Sequence, residues 1–470
     1  MSQVFQIEKL VDDQKLGAFN LKLLLWSFLA MFGDGFDISA LASAAPELRR
    51  AWGVAPQDFS IALSASQFGV LFGAPLLGYF GDRFGRRIAI ITGCVIFGLG
   101  TLATVWAGNL DQMTVLRFIT GIGIGGLMPN SIALNSELSP RRWRATLVVL
   151  MFTGITAGSG LPGSIQAWLI PDYGWPIMFW IGGIVPLVTA ALLWFSLPES
   201  VKFLALRPHR RAELLSVVRR MRPDLTIPDD AQFVCLPAPE ASGSGLAQLF
   251  GPGLRFITPL LWLCFATALM ANFFLNSWLP LIFENNGLTP QEAGVATSLY
   301  HYGGTIGGVL VSLMLARFGF SVIAVLFLLA APAIAAIGVP GISYSLMAMV
   351  TTFAGFFVLG AQFGNNATSG LIYPTAFRSR GVGWALGIGR ISSIAGPLLG
   401  GVLIAMALPL DKLFLIASIP MAIGFLAAVG LVRLCYLRFG NLQIDDAQPV
   451  VDRGGAARVG APESVPPVAR

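Results

Sequence analysis

The sequence predicts an all-α polytopic membrane protein whose twelve transmembrane helices form two pseudo-symmetric six-helix bundles. Hydrophobic residues make up 55% of the 470-residue chain and charged residues only 11%, which is more apolar side chain than a soluble domain buries. The apolar residues gather in stretches of about 20 residues, the length that crosses a bilayer as a helix. An internal repeat relates the first six stretches to the last six.

The apolar stretches divide the chain in order. We expect a cytoplasmic leader at 1–20, a first bundle at 21–197, a polar central loop at 198–254, a second bundle at 255–436 and a tail at 437–470. The tail is rich in Ala, Pro, Gly and Val, so we expect it to be disordered. The predicted spans are 21–43, 59–81, 88–108, 112–134, 146–169, 176–196, 256–283, 292–315, 320–339, 343–370, 381–407 and 412–436.

Positive charge is distributed unevenly between the two sides of these spans. Of the 30 Lys and Arg residues, Arg49, Arg50 and Lys412 alone fall in loops on one side, while Arg117 and Arg390 fall within spans. All others share the side of the two termini, and such an excess marks the cytoplasm. We expect a multi-pass protein of the inner membrane with both termini cytoplasmic. The net charge of +6 follows from this topology and gives no reason to expect a nucleic-acid partner.

One offset along the sequence superimposes features of the two halves. Duplicated parallel halves with a substrate site near mid-membrane are a known transporter architecture. The equivalent pairs include Pro140 and Pro374, Arg144 and Arg378, and Gly121 and Gly355.

The first predicted span carries two acidic residues in its middle, Asp34 and Asp37. Carboxylates at this depth are costly and usually face a polar cavity and a partner. The two are three residues apart and share one helix face. Burial favours the neutral form of a carboxylate, so either residue can take up and release a proton. We expect a proton-coupling site here; the alternative is that one of the two only braces a neighbouring helix.

The loop after the second span reads Gly78–Tyr79–Phe80–Gly81–Asp82–Arg83–Phe84–Gly85–Arg86–Arg87. It resembles the signature of the major facilitator superfamily, G-x-x-x-D-[RK]-x-G-[RK]-[RK]. The segment from Glu137 to Arg144 resembles the second charged loop of that superfamily. The resemblance implies the major facilitator fold.

These loops suggest a latch that holds one state of an alternating-access cycle. Asp82 would meet Arg144, or the positive N-terminus of a helix, across the cytoplasmic face. The second half has Ala316 and Phe320 at the equivalents of Asp82 and Arg86, so we expect its latch to be weaker. The predicted gating residues are Asp82, Arg83, Arg86, Glu137, Arg144 and Arg378.

Three further stretches resemble the aromatic acid:proton symporters of the superfamily. The resemblance covers the twelve spans and leaves out the tail. It implies proton-coupled import of an aromatic carboxylate such as a hydroxybenzoate. The stretches are Asp34–Gly35–Phe36–Asp37, Leu197–Pro198–Glu199–Ser200, which sugar porters share, and Tyr373–Pro374–Thr375 with the residues from Arg378 to Arg390.

An anionic substrate needs a cation within the membrane, and two arginines qualify. A guanidinium holds a carboxylate through two parallel hydrogen bonds and keeps its charge. Arg117 lies near one end of its span, where snorkelling to the polar boundary is an equal alternative. Arg390 lies well inside its span, which favours a binding or pairing role.

Other polar and aromatic residues of the spans are candidates for lining the cavity. His301 is equivalent to Gln67 by the repeat and could contact substrate or relay a proton; an interhelix hydrogen bond is the simpler alternative. A tryptophan near a span end is also a common interface anchor. The remaining candidates are Asn272, Asn276, Gln362, Asn365 and Trp384.

Other functional classes fit less well. Two histidines and four cysteines show no ligand spacing, and no nucleophile–base set is evident, so we expect neither an enzyme nor a metal or cofactor. An exporter of this superfamily carries a proline directly after the second glycine of the span-5 pattern, where this chain has Ser159 after Gly158. A membrane sensor would need a folded output domain, which neither the central loop nor the tail resembles. A non-aromatic organic acid stays open as substrate. We expect a monomer whose partners are protons, the acid and the lipid bilayer.

Overall fold

The computed structural model describes residues 4–229, 231–235, 246–251, 253–373 and 378–439. These residues form twelve long helices, which we call span 1 to span 12 in chain order, and the predicted all-α fold is confirmed. The spans are Ala18–Trp52, Phe59–Phe84, Arg86–Ala103, Leu110–Leu138, Arg141–Trp168, Pro176–Ser196, Ile257–Asn285, Pro290–Phe318, Ser321–Ile337, Tyr344–Ile372, Arg378–Ala405 and Leu410–Phe439.

Most of the spans are suited to a bilayer. Within the described residues, ten are long and apolar enough to cross a membrane. Span 9 is apolar but shorter, with 17 residues. Span 8 has 29 residues and completes the second bundle.

The packing of the helices shows the internal repeat. Span 1 packs on span 5, span 2 on span 4 and span 3 on span 6, and the second half repeats these pairs as 7 on 11, 8 on 10 and 9 on 12. Two glycines that the repeat makes equivalent permit corresponding crossings. A Cβ at Gly121 would overlap the carbonyl of Ser66, and one at Gly355 would overlap that of Tyr300. The halves meet where span 1 packs on span 7, span 2 on span 11, and span 5 on span 8.

The two ends of the bundle differ. We call the end at which span 1 begins the leader end, and the other the opposite end. At the leader end, strand β1 (Val4–Gln6) pairs in parallel with strand β2 (Gln232–Val234) of the central loop. The short helices Ile7–Asp12 and Arg211–Met221 join one apolar cluster with the first bundle. Part of the central loop and the tail from residue 440 lie outside the described residues, so the predicted disorder of the tail stays a prediction.

Candidate functional site

Asp37 and Arg117 form an ion pair inside the first bundle. Arg117 Nη1 donates to Asp37 Oδ1 at 2.5 Å, and both side chains are 1% exposed. Ser66 and Thr101 also donate to the carboxylate, at 3.0 and 3.3 Å. The other terminal nitrogen, Nη2 of Arg117, donates to the hydroxyls of Thr104 and Thr120. Each charge is therefore matched within the bundle.

Asp34 lies one turn toward the leader end and has different surroundings. It is buried, and the described part of the chain offers its carboxylate no hydrogen-bond donor. Arg390 of span 11 lies within electrostatic range of it. Asp34 of the first half and Arg390 of the second half thus interact electrostatically across the boundary between the halves.

Arg390 reaches from the second half into the first. Its Nη1 donates to Gln67 Oε1 at 3.2 Å, and Nη2 contacts Met128 Sδ at 3.6 Å. Ser393 donates to the same Gln67 oxygen at 3.5 Å. Both acceptors of the guanidinium are neutral, so its charge has no hydrogen-bonded carboxylate among the described residues.

A second polar cluster joins the halves at Ser39, five residues beyond Asp34 in span 1. Ser39 donates to Asn276 Oδ1 at 2.7 Å, and its hydroxyl lies 3.2 Å from His301 Nε2. Asn276 Nδ2 donates to the carbonyl of Ile38 at 2.8 Å. All three side chains are buried. Ser39 was not predicted from the sequence, because a serine in an apolar helix has no distinctive pattern.

The remaining candidates divide into those near this cluster and those apart from it. Asn272 accepts from the Tyr300 hydroxyl at 3.0 Å and donates to Gln362 at 3.4 Å. Asn365 is buried and donates to the carbonyl of Cys264 at 3.1 Å. Trp384 is 48% exposed and stacks on Trp262, an arrangement typical of an interface anchor.

The polar contacts between the halves lie at mid-span or toward the opposite end. At the opposite end, Arg50 pairs with Glu284 at 2.6 Å, and Gln166 donates to the same glutamate at 3.0 Å. Arg49 donates to Asn285, and Ser298 donates to the carbonyl of Gly160 at 2.7 Å. Together these contacts close the boundary between the halves at the opposite end.

Comparison with known proteins identifies the family to which this chain is similar. A model of the Major Facilitator Superfamily matches residues 27–258. The gallate transporter of Pseudomonas putida is 34% identical over 90% of this chain and 93% of its own. The 4-hydroxybenzoate transporter of the same organism is 33% identical over 91% and 95%. The benzoate transport protein of Acinetobacter baylyi is 31% identical over 90% and 92%.

The chain belongs to the aromatic acid:proton symporter family of the Major Facilitator Superfamily. The predicted family membership is confirmed, and the protein is a transporter and not an enzyme. Solved structures support the fold. A D-xylose–proton symporter superimposes with a TM-score of 0.67 at 19% identity, covering 89% of this chain and 98% of its own. The xylose transporter of E. coli in a partially occluded inward-open conformation gives 0.64 at 16% identity, with the same coverage.

The charged loops of the symporter are paired, but differently from the expected latch. Asp82 pairs with Arg86, one turn along the chain, and Arg86 also lies 3.7 Å from Glu137. Arg144 lies 4.0 Å from Asp12 of the leader. The Asp82–Arg144 contact is therefore not formed in this conformation, because each residue has a nearer partner.

The other two predicted gating residues are Arg83 and Arg378. The Arg83 guanidinium lies 5.5 Å from the centroid of the Phe84 ring, and its carbonyl accepts from Arg207 at 2.5 Å. Arg378 begins span 11, and its side chain lies outside the described part of the structure.

Glu199, which belongs to the Leu197–Ser200 stretch of family resemblance, holds the start of span 3. It accepts from the backbone N–H groups of Arg86 and Ser200, at 3.0 and 2.8 Å, and it is buried. Gly85 makes room for it, since a Cβ there would overlap the carboxylate and φ is +115°. Burial raises the pKa of Glu199 above its ordinary value, although hydrogen bonds from Ser200, Arg87 and Arg86 act in the opposite direction.

Proposed function

We propose that the protein imports an aromatic carboxylate together with a proton, by alternating access, across the inner membrane. The observation that carries the proposal is the contrast between the two acid–arginine pairs. Asp37 and Arg117 neutralise each other through a direct hydrogen bond, whereas Asp34 and Arg390 interact electrostatically and the guanidinium of Arg390 contacts Gln67 and Met128 instead. The relatives named as gallate, 4-hydroxybenzoate and benzoate transporters support the choice of cargo.

Arg390 is the proposed carboxylate-binding residue. Its terminal nitrogens now contact an amide oxygen and a thioether, both weaker acceptors than a carboxylate. An incoming anion would replace them with charge-assisted hydrogen bonds. Because these bonds are stronger, the exchange favours binding of an anion at this position.

Asp34 is the proposed proton carrier. In the empty site the negative charge of ionised Asp34 balances the positive charge of Arg390. Once a substrate carboxylate pairs with Arg390, the negative charge of Asp34 loses its counterion in a buried position, and protonation becomes favourable. The empty and the loaded site then carry the same net charge, so either can reorient without moving net charge through the membrane. This predicts one proton for each monovalent anion.

The remaining partners and the orientation are also part of the proposal. The excess of Lys and Arg on the leader side supports a cytoplasmic position for the leader, the central loop and both termini. The contacts that close the opposite end then describe a state facing inward. All the residues named for binding come from one chain, so we propose that a monomer in the bilayer suffices.

The test is uptake of radiolabelled 4-hydroxybenzoate by proteoliposomes with an imposed pH gradient, with and without an uncoupler. We expect gradient-driven accumulation that the uncoupler abolishes. Arg390→Gln should raise KM about 10- to 100-fold, the loss expected for a hydrogen bond to a charged group. Arg433→Gln, at an exposed arginine of span 12, is the matched control and should leave KM unchanged. Uptake indifferent to both the gradient and Arg390 would contradict the proposal.

A further inference from the structure

The Ser39–Asn276–His301 cluster fixes the hydrogen-bonding state of His301. Asn276 Nδ2 donates to the carbonyl of Ile38, so its Oδ1 is the atom that faces Ser39. A carbonyl oxygen only accepts, and the serine hydroxyl has a single hydrogen. Ser39 must therefore donate to Asn276.

It follows that His301 donates to Ser39. Because the serine hydroxyl donates its one hydrogen to Asn276, the 3.2 Å contact with His301 Nε2 requires a proton on that nitrogen. In a neutral imidazole the other nitrogen, Nδ1, is then an acceptor. The network thus selects one tautomer of His301.

The acceptor nitrogen of His301 is unused. Nδ1 is buried without a hydrogen-bond partner among the described residues, and the side chain is 3% exposed. The hydroxyls of its chain neighbours Tyr300 and Thr305 have other acceptors, because Tyr300 donates to Asn272 and Thr305 donates to the backbone carbonyl of His301. A buried acceptor without a donor costs free energy, which a donor on a ligand would recover.

The cluster lies beside the proposed binding residues. Ile38, whose carbonyl Asn276 contacts, lies four residues from Asp34, about 6 Å along span 1. Arg390 lies within electrostatic range of Asp34. An aromatic acid that is held at Arg390 by its carboxylate and extends along span 1 toward Ile38 would bring the far side of its ring to the cluster.

We propose that Nδ1 of His301 accepts a hydrogen bond from a ring hydroxyl of the substrate, so that the transporter selects hydroxylated aromatic acids over unsubstituted benzoate. This inference rests on the proposed function. A site built around a substrate hydroxyl discriminates strongly against an analogue that lacks it, because the buried polar group is then left unpaired. Wild-type protein should prefer 4-hydroxybenzoate to benzoate by at least about tenfold in kcat/KM.

The test compares uptake of the two labelled acids in proteoliposomes. His301→Phe removes the acceptor and should bring the preference close to unity while benzoate uptake persists. His301→Gln keeps both a donor and an acceptor and should restore part of the preference. His209→Gln, at the other histidine, which is exposed in the central loop, is the matched control and should behave as wild type.

Three results would overturn the inference. Equal transport of both acids by the wild-type protein would overturn the inference and leave the proposed function intact. An equal fall in uptake of both acids in His301→Phe, with no recovery of the preference in His301→Gln, would assign the residue a purely structural role. Failure of the wild type to transport either acid would overturn the proposed function and this inference together.

Discussion

Arg117 of span 4 and Asp37 of span 1 form a buried ion pair of 2.5 Å that is neutral as a unit. Removing one member leaves the other charge unpaired, which typically costs about 3–5 kcal/mol, whereas removing both leaves no charge behind. We predict that Asp37→Asn and Arg117→Gln each lower the thermal stability of the detergent-solubilised protein strongly, and that the double variant recovers part of the loss. A double-mutant cycle measured from unfolding curves checks this. Strictly additive losses would contradict it.

Glu284 connects the halves at the opposite end through Arg50, which also pairs with Glu47 of its own helix. Arg50 is half exposed, so the pair is worth about 0–1 kcal/mol. We predict that Glu284→Gln shifts the population toward a state open at the opposite end by a few-fold. The labelling rate of a cysteine placed at buried Ser298 measures this opening.

Glu47→Gln is the matched control for that change, because it removes a partner of the same arginine without touching the other half. It should leave the labelling rate near that of the parent. Equal rates in the two variants would show that Glu284 does not hold the halves together.

Asp12 of the leader accepts the backbone N–H of Arg141, the first residue of span 5, at 3.0 Å. Loss of such a helix cap costs about 0.5–2 kcal/mol. We predict that Asp12→Ala accelerates amide hydrogen exchange at the start of span 5. Asp13→Ala, at the exposed neighbour, is the control, and similar exchange in both variants would argue against capping by the leader.

Glu199 gives a pH dependence of known sign. Burial raises its pKa, so the folded protein holds the proton more tightly than the unfolded chain. Stability from this residue is therefore present at low pH and falls as pH rises from the ordinary glutamate pKa to the raised one. We predict that wild type loses thermal stability relative to Glu199→Gln as the pH rises above the ordinary glutamate pKa. A difference in thermal stability between the two proteins that stays constant as the pH rises, or that grows in favour of wild type, would contradict this prediction.

Features governed by local pattern were predictable from the sequence. Apolar length located the spans, and the repeat offset identified Gly121 and Gly355, which lie at corresponding crossings of spans 2 and 4 and of spans 8 and 10. These positions depend on helix length and residue size, which a sequence displays directly.

Partner choice was not predictable. Asp34 and Asp37 share a helix face, but the pattern could not tell which would form a direct ion pair, because that depends on where the packed bundle brings Arg117 and Arg390 relative to span 1. Asp82 pairs with Arg86, where the local one-turn spacing favours contact over the more distant Arg144. The leader and β2 pair across more than 200 residues of chain, and such short segments have no sequence signature of their own.

The most direct test of the account is transport by Asp34→Asn in proteoliposomes. Asparagine mimics the protonated carboxyl group, so the site loaded with an anion at Arg390 stays neutral while the empty site becomes positive. We predict that the variant still exchanges internal for external labelled 4-hydroxybenzoate but no longer accumulates it in response to a pH gradient. Accumulation equal to that of wild type under the same gradient would contradict the assignment of Asp34 as the proton carrier.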